Sequence, residues 1–294
     1  MRTLALHDRL DREQPQQYLG FVPAARSRAG DDAGLPRPSR SVHGVGVALL
    51  HARVTLDAIR AAPAFTPLEL NASSPVGIEG YSGGAIATAW AATIRKAYAP
   101  KMNVVGVASG GTPANFKDVL EQFDNNTAAN ALSSIGLDLM LGINGAWPSF
   151  LTPYLNQKGI DAANALKDGC GGQLSQTGAD VPTGHFADYT NVADPLNVST
   201  IDAILPKNDL PNGRNPIDPI YVYHSQVDEL VPIGDTNSLV RTWCAAGVHV
   251  AYYRGLQGDH VSFDATMAPT VFTYLASRFR GGPEATPAGT TTCN

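Results

Sequence analysis

Gly80-Tyr81-Ser82-Gly83-Gly84 has the form G-x-S-x-G, and its surroundings decide how the chain folds. The pattern carries weight only where a strand enters it and a helix leaves it. Residues 75–79 form a short apolar run bounded by turn residues, as a buried strand should. Residues 85–98 are rich in alanine and stop before Pro100, which predicts a helix. A sharp strand-to-helix turn strains the central serine, and glycine at the flanking positions leaves room for the crossing backbone. Ser82 is therefore expected at the head of a helix, where free N–H groups and the helix dipole favour a developing negative charge.

Outward from the turn, residues 102–108 are a fully apolar strand ending at Ser109-Gly110-Gly111-Thr112-Pro113. Strand, turn, helix and strand make one parallel, right-handed β-α-β unit. Residues 113–206 then give helical patterns at 116–123, 128–141 and 160–167 with almost no strand signal, the mark of a helical cap inserted between sheet strands at the carboxyl end of the sheet. Its apolar stretch 143–151 is assigned to the cap's own core ahead of a substrate-pocket wall.

The sheet resumes at 219–225, followed by a turn at 226–232, a helix at 235–246 closed by Gly247, and a strand at 248–253. A loop at 255–260 leads to a helix at 263–279, and a Pro-, Gly- and Thr-rich tail begins at 281. Upstream, residues 45–50 read as a weak strand, and 51–62 as an amphipathic helix through Val54, Leu56, Ile59 and Ala62, closed by Pro63. Residues 1–44 hold seven arginines and no lysine with no apolar period, and are expected to be disordered. The division is thus an α/β core at 45–112 and 207–280, a cap at 113–206 and a tail at 281–294.

The 294 residues can bury one large α/β core, and a net charge of -5 argues against nucleic acid as partner. No apolar run approaches the roughly 18 residues of a membrane span. Charge interrupts the first nine residues, so they do not read as a signal peptide. Cys170, Cys244 and Cys293 fit no zinc spacing; one disulfide with one thiol left over, or three reduced thiols, are both open. No metal or cofactor is implied.

An alcohol attacks poorly at neutral pH, so a catalytic serine needs an imidazole to take its proton and a carboxylate to hold that imidazole. In an α/β-hydrolase these follow in the order Ser, Asp, His, each in a loop after a strand. Asp228 and His260 fit that order and those places. Glu229, one residue later in the turn, and Asp235, read as the N-cap before Thr236, are the competing acids. His224 and His249 lie inside strands and are taken as structural, and His185 lies in the cap. The backbone N–H of Gly83 supplies one oxyanion donor; no residue is assigned as the second.

With residues 80–88, 103–113, 228–232 and 243–247 quoted together, the chain resembles the secretory lipase family of the α/β-hydrolase superfamily from about residue 51 to the C-terminus. The resemblance implies a parallel-sheet core with flanking helices and a helical cap between the nucleophile and acid strands. It also implies a Ser82, Asp228, His260 triad acting on carboxylic esters including triacylglycerols, with an acyltransferase of the same fold or a catalytically silent hydrolase-like chain as alternatives. Export is implied too, which favours pairing Cys244 with Cys293. The family carries a longer region before the turn, with an export signal, the first strands and the second oxyanion donor; here Ser82 is reached after 81 residues, and those N-terminal strands are expected to be absent. The spare Cys170 agrees with that.

Overall fold

The computed structural model describes residues 47–125, 130–166 and 184–293. The expected disorder of 1–44 and the pairing of Cys170 fall outside these residues. In chain order the elements are α1 (Ala48–Ala61), β1 (Val76–Tyr81), α2 (Gly83–Tyr98), β2 (Val104–Gly110), α3 (Phe116–Asn125), α4 (Asn130–Ala146), α5 (Gln157–Leu166), the single turn α6 (Ser199–Asp202), β3 (Ile220–Ser225), α7 (Ile233–Ala245), β4 (Val250–Gly255), α8 (His260–Phe279) and β5 (Thr291–Cys293). Short 3-10 turns connect several of them.

The strands form one sheet in the order β1-β2-β3-β4-β5. The first four are mutually parallel and β5 runs antiparallel against β4. All six residues of β3 are buried, as expected for a strand covered on both faces. Its alternation distributes them: Ile220 and Val222 join the large cluster that includes Trp90 of α2 and Trp243 of α7, whereas Tyr221 and Tyr223 join Phe263, Met267, Val271 and Tyr274 of α8. The sheet is therefore sandwiched, with α1, α2 and α7 contributing to one core and α8 to the other. Arg95 near the end of α2 is ion-paired with Asp218 just before β3 at 3.1 Å, both largely buried.

Between β2 and β3 the regular elements of the described residues are helical, and their strand-like pairing is the lone bridge Leu155–Thr190. Phe116, Leu120, Leu137, Met140, Ile143, Phe150 and Leu151 belong to the same apolar cluster as the sheet face. Within 143–151, Ile143, Phe150 and Leu151 are fully buried, whereas Ala146, Pro148 and Ser149 are exposed.

Three element readings change. Residues 48–50 begin a helix rather than end a strand: Ala48, Ala52, Leu56 and Ile59 bury one face against α2, and Asn208 Oδ1 accepts the Ala48 N–H at 3.1 Å. Helix α8 starts at His260, three residues earlier than expected, because Asp259 caps it by accepting the Ser262 N–H at 2.8 Å. The tail is not wholly irregular, since β5 pairs with β4 and Cys293 is disulfide-bonded to Cys244 at the end of α7.

Candidate active site

Ser82 sits between β1 and α2 with φ 53° and ψ −118°, one of two non-glycine residues with positive φ among the described residues. A side chain held there is strained, and the surroundings over-determine it. Its N–H bonds to the Gly110 carbonyl at 2.9 Å, and its own carbonyl accepts from Ala85 and Ile86 at 2.9 and 3.2 Å. The flanking glycines differ. A Cβ on Gly80 would lie closer than 3.0 Å to the Gly84 carbonyl and the Thr88 hydroxyl, whereas a Cβ on Gly84 would meet nothing within 4 Å. The steric reason offered for both glycines therefore holds for Gly80 alone. Gly83 and Gly84 occupy the first turn of α2, where N–H groups have no intrahelical acceptor.

Asp228 and His260 are brought together: His260 Nδ1 lies 2.7 Å from Asp228 Oδ2. The Asp228 side chain is wholly covered. Its Oδ1 accepts the N–H groups of Leu230 at 3.0 Å and Val231 at 2.8 Å. Burial alone would raise the carboxyl's pKa, but hydrogen bonds from His224 and His260 outweigh it and hold the group well below the usual range. Asp228 is thus an ionised acceptor facing the imidazole.

His260 is the first residue of α8 and is 5% exposed. Tyr81, immediately before Ser82, packs its ring 4.9 Å from the imidazole and donates its hydroxyl to the His260 carbonyl at 2.8 Å. On the far side of Ser82's backbone partner, a Cβ on Gly111 would come 3.0 Å from His260 Cε1. The serine turn and the imidazole therefore border the same small patch formed by Tyr81, Gly110 and Gly111. Among the described residues no hydrogen bond joins Ser82 Oγ to His260; hydrogen bonds of this kind are often loose without substrate and tighten in the reacting complex.

The competing residues are placed elsewhere. Glu229 does not reach the imidazole; its Oε2 accepts the backbone N–H of His260 at 2.9 Å, and its carbonyl accepts from Gln122 of α3 at 2.9 Å. Asp235 is not the N-cap of α7, which begins at Ile233 after Pro232; it lies within the first turn. Burial and then the neighbouring Asp118 push its pKa up to about 7. His249 pairs with Glu284 at 3.0 Å, and His185 lies 3.8 Å from Asp124. His224 is structural in being fully buried, yet its Nε2 lies 3.1 Å from Asp228 Oδ2. Tyr81 and Glu229 escaped the sequence as supports of His260. A carboxylate directly after the acid, and an aromatic directly before the nucleophile, were the available signals.

A profile described as "Secretory lipase" matches residues 38–286. The chain belongs to the secretory lipase family. The match starts earlier than the resemblance first suggested, reaching into the arginine-rich segment. Secreted triacylglycerol lipase LIP5 of Malassezia furfur is 30% identical over 241 residues, covering 80% of this chain and 62% of the relative. Lipase A of Arthroderma benhamiae is 33% identical over 240 residues, covering 77% and 48%. Among solved structures, Candida antarctica lipase A in its closed state matches with a TM-score of 0.72 and 27% identity over 85% of this chain and 57% of that one. The rice cell wall degrading esterase LipA of Xanthomonas oryzae shares the fold at a TM-score of 0.59 and 15% identity, over 82% and 65%. This secretory lipase chain thus has the α/β-hydrolase fold, and it spans 47% to 62% of the length of three Malassezia secreted lipases that it matches. No helix among its described residues is long and apolar enough to cross a membrane.

Proposed function

We propose that this secretory lipase chain carries a serine carboxylic-ester hydrolase site in which Ser82 is the nucleophile, His260 the general base and Asp228 the residue that orients His260. The carrying observation is the 2.7 Å bond between His260 Nδ1 and a wholly covered, ionised Asp228. That bond requires the Nδ1–H tautomer and leaves Nε2 as the acceptor for the serine proton. Ser82 Oγ attacks the ester carbonyl while its proton passes to His260 Nε2. The tetrahedral oxyanion is held by the Gly83 N–H, with the dipole of α2 behind it. Collapse expels the alcohol, which takes the proton from His260, and leaves an acyl-enzyme on Ser82. Water, deprotonated by the same imidazole, then releases the acid. The chemistry needs no metal or cofactor.

Relatives named as triacylglycerol lipases support an aliphatic ester of glycerol as the substrate class. The helical segment 113–206 acts as a cap between core segments 45–112 and 207–280, a reading supported by the hydrogen bond from Gln122 of α3 to the acid loop at Glu229. Its exposed rim is where transient contact with a lipid interface would occur. Relatives named as secreted, together with the Cys244–Cys293 bond, support export.

Ser82→Ala should abolish release of p-nitrophenol from a medium-chain ester, and a fluorophosphonate should label the parent chain at Ser82. Turnover unchanged in the variant would sink the assignment. A folded parent chain that never labels would point to a silent hydrolase-like protein instead.

A further inference from the structure

We propose that His224 is a positioning residue of this site, a second histidine that shares the Asp228 carboxylate with His260 and thereby sets how tightly that carboxylate holds the base. The inference rests on the reading of Asp228 and His260 as acid and base, and it concerns a residue that sits inside β3 and touches no substrate.

His224 is fully buried near the end of β3. Its Nε2 is 3.1 Å from the Val231 carbonyl and 3.1 Å from Asp228 Oδ2. A carbonyl and an ionised carboxylate can only accept, so their placement assigns the proton to Nε2, which is shared between the two in a three-centre arrangement. The opposite nitrogen, Nδ1, lies 2.9 Å from Thr236 Oγ1, and that hydroxyl is 3.1 Å from the Thr112 carbonyl. A chain of contacts from the end of β2, through α7, thus fixes the orientation of the ring. A histidine needed only to fill space or pin the turn could use Val231 alone. Here the ring also abuts Oδ2, the same oxygen that binds His260 Nδ1.

The consequence is competition. Charge that Oδ2 directs to the His224 N–H is not available to His260, so the second histidine weakens the hold of Asp228 on the imidazolium formed during proton transfer. Removing the His224 donor should concentrate charge on the remaining contact and make His260 hold its proton harder. The other ionisable groups near His260 are Tyr81 from β1, Glu229 from the acid loop, and Asp259 and Asp264 from α8 and its cap. Asp228 is the charged group that His224 itself meets. None of these changes when position 224 alone is substituted.

The test follows the imidazole nitrogens of the full ¹⁵N-labelled chain by NMR, with His260 assigned through His260→Asn. In His224→Phe, which keeps a ring but no donor, the His260 titration should move up by about half a pH unit or more. In His224→Gln, which restores an N–H, it should return toward the parent value. Where ester turnover is measurable, the acid limb of kcat/KM should move the same way with KM unchanged. A folded His224→Phe chain with an unmoved His260 titration would overturn the proposal and leave His224 a purely structural residue. Should that variant not fold, Thr236→Val loosens the same ring from Nδ1 and should give a smaller shift in the same direction; no shift there would equally overturn it. The NMR readout does not depend on hydrolysis, so failure of the lipase reading and failure of this one give different results.

Discussion

Alanine in place of the two outer glycines of the serine turn should have opposite effects, and the structure says how large. At Gly80 the added methyl would enter space already held by the Gly84 carbonyl, which is backbone and cannot rotate away, and by the Thr88 hydroxyl of the next helical turn. Relief requires β1 or the start of α2 to shift, an overpacking cost of about 1–3 kcal/mol. At Gly84 the methyl meets nothing within 4 Å and the residue is already in α2. Exchanging glycine for alanine in a helix gains up to about 1 kcal/mol. The two variants should therefore differ by about 1–4 kcal/mol, which for a chain of this size separates their melting temperatures by roughly 2–15 °C. Urea unfolding followed by tryptophan fluorescence would measure both against the parent. Equal stability of Gly80→Ala and the parent, or a loss at Gly84→Ala matching that at Gly80→Ala, would refute the account of the turn. Fluorophosphonate labelling of each folded variant would show whether the Ser82 conformation follows the stability.

Two further expectations concern carboxylates. Glu79 on β1 has its pKa raised to about 7, first by burial and then by Asp264, against a hydrogen bond from the Tyr223 hydroxyl at 3.3 Å. Its folded form therefore prefers the proton, so its contribution to stability is greatest below the unfolded value of 4.5, declines as pH rises to about 7 and is flat above. Glu79→Gln should gain stability relative to the parent between pH 5 and pH 8, and a pH-independent difference in urea midpoints would contradict this. Glu229→Ala removes the acceptor of the His260 N–H and should cost about 1.5–3 kcal/mol of local order, seen as a tenfold or larger fall in kcat/KM. Glu229→Gln keeps an oxygen acceptor and should recover most of it.

The parallel core was legible because its strands are apolar on both faces and its helices stop at proline or glycine. Asp228 and His260, the proposed acid and base, could be picked out because loops after strands are few and these two stood in the order Ser, Asp, His. What the sequence hid was the support. Whether Glu229 faces the ring or the backbone of His260 depends on where α8 begins, and that depends on the Asp259 cap, which a helix period starting at Phe263 does not reveal. The strand reading failed over residues 48–50 for a related reason. Valine and leucine suit either state, and what favours a helix is long-range: the alanines on its buried face and the carboxamide of Asn208, 160 residues away. His224 looked structural from its place in β3, and burial confirms that much, but the spacing His224 to Asp228 carries the imidazole back over the turn onto the carboxylate.

The bond between Cys244 and Cys293 closes a covalent ring around β4, α8 and β5. His260 lies inside that ring, while Ser82 and Asp228 lie outside it. When the oxidised chain unfolds, the segment bearing the imidazole keeps its two ends together, Asp228 stays close to it in sequence, and Ser82 disperses. Reassembly of the constellation is then a search by one open stretch of chain, carrying both Ser82 and Asp228, for one tethered loop. A cut in the tail between α8 and β5 would leave the oxidised polypeptide in a single piece, with the helix that carries His260 released at one end only.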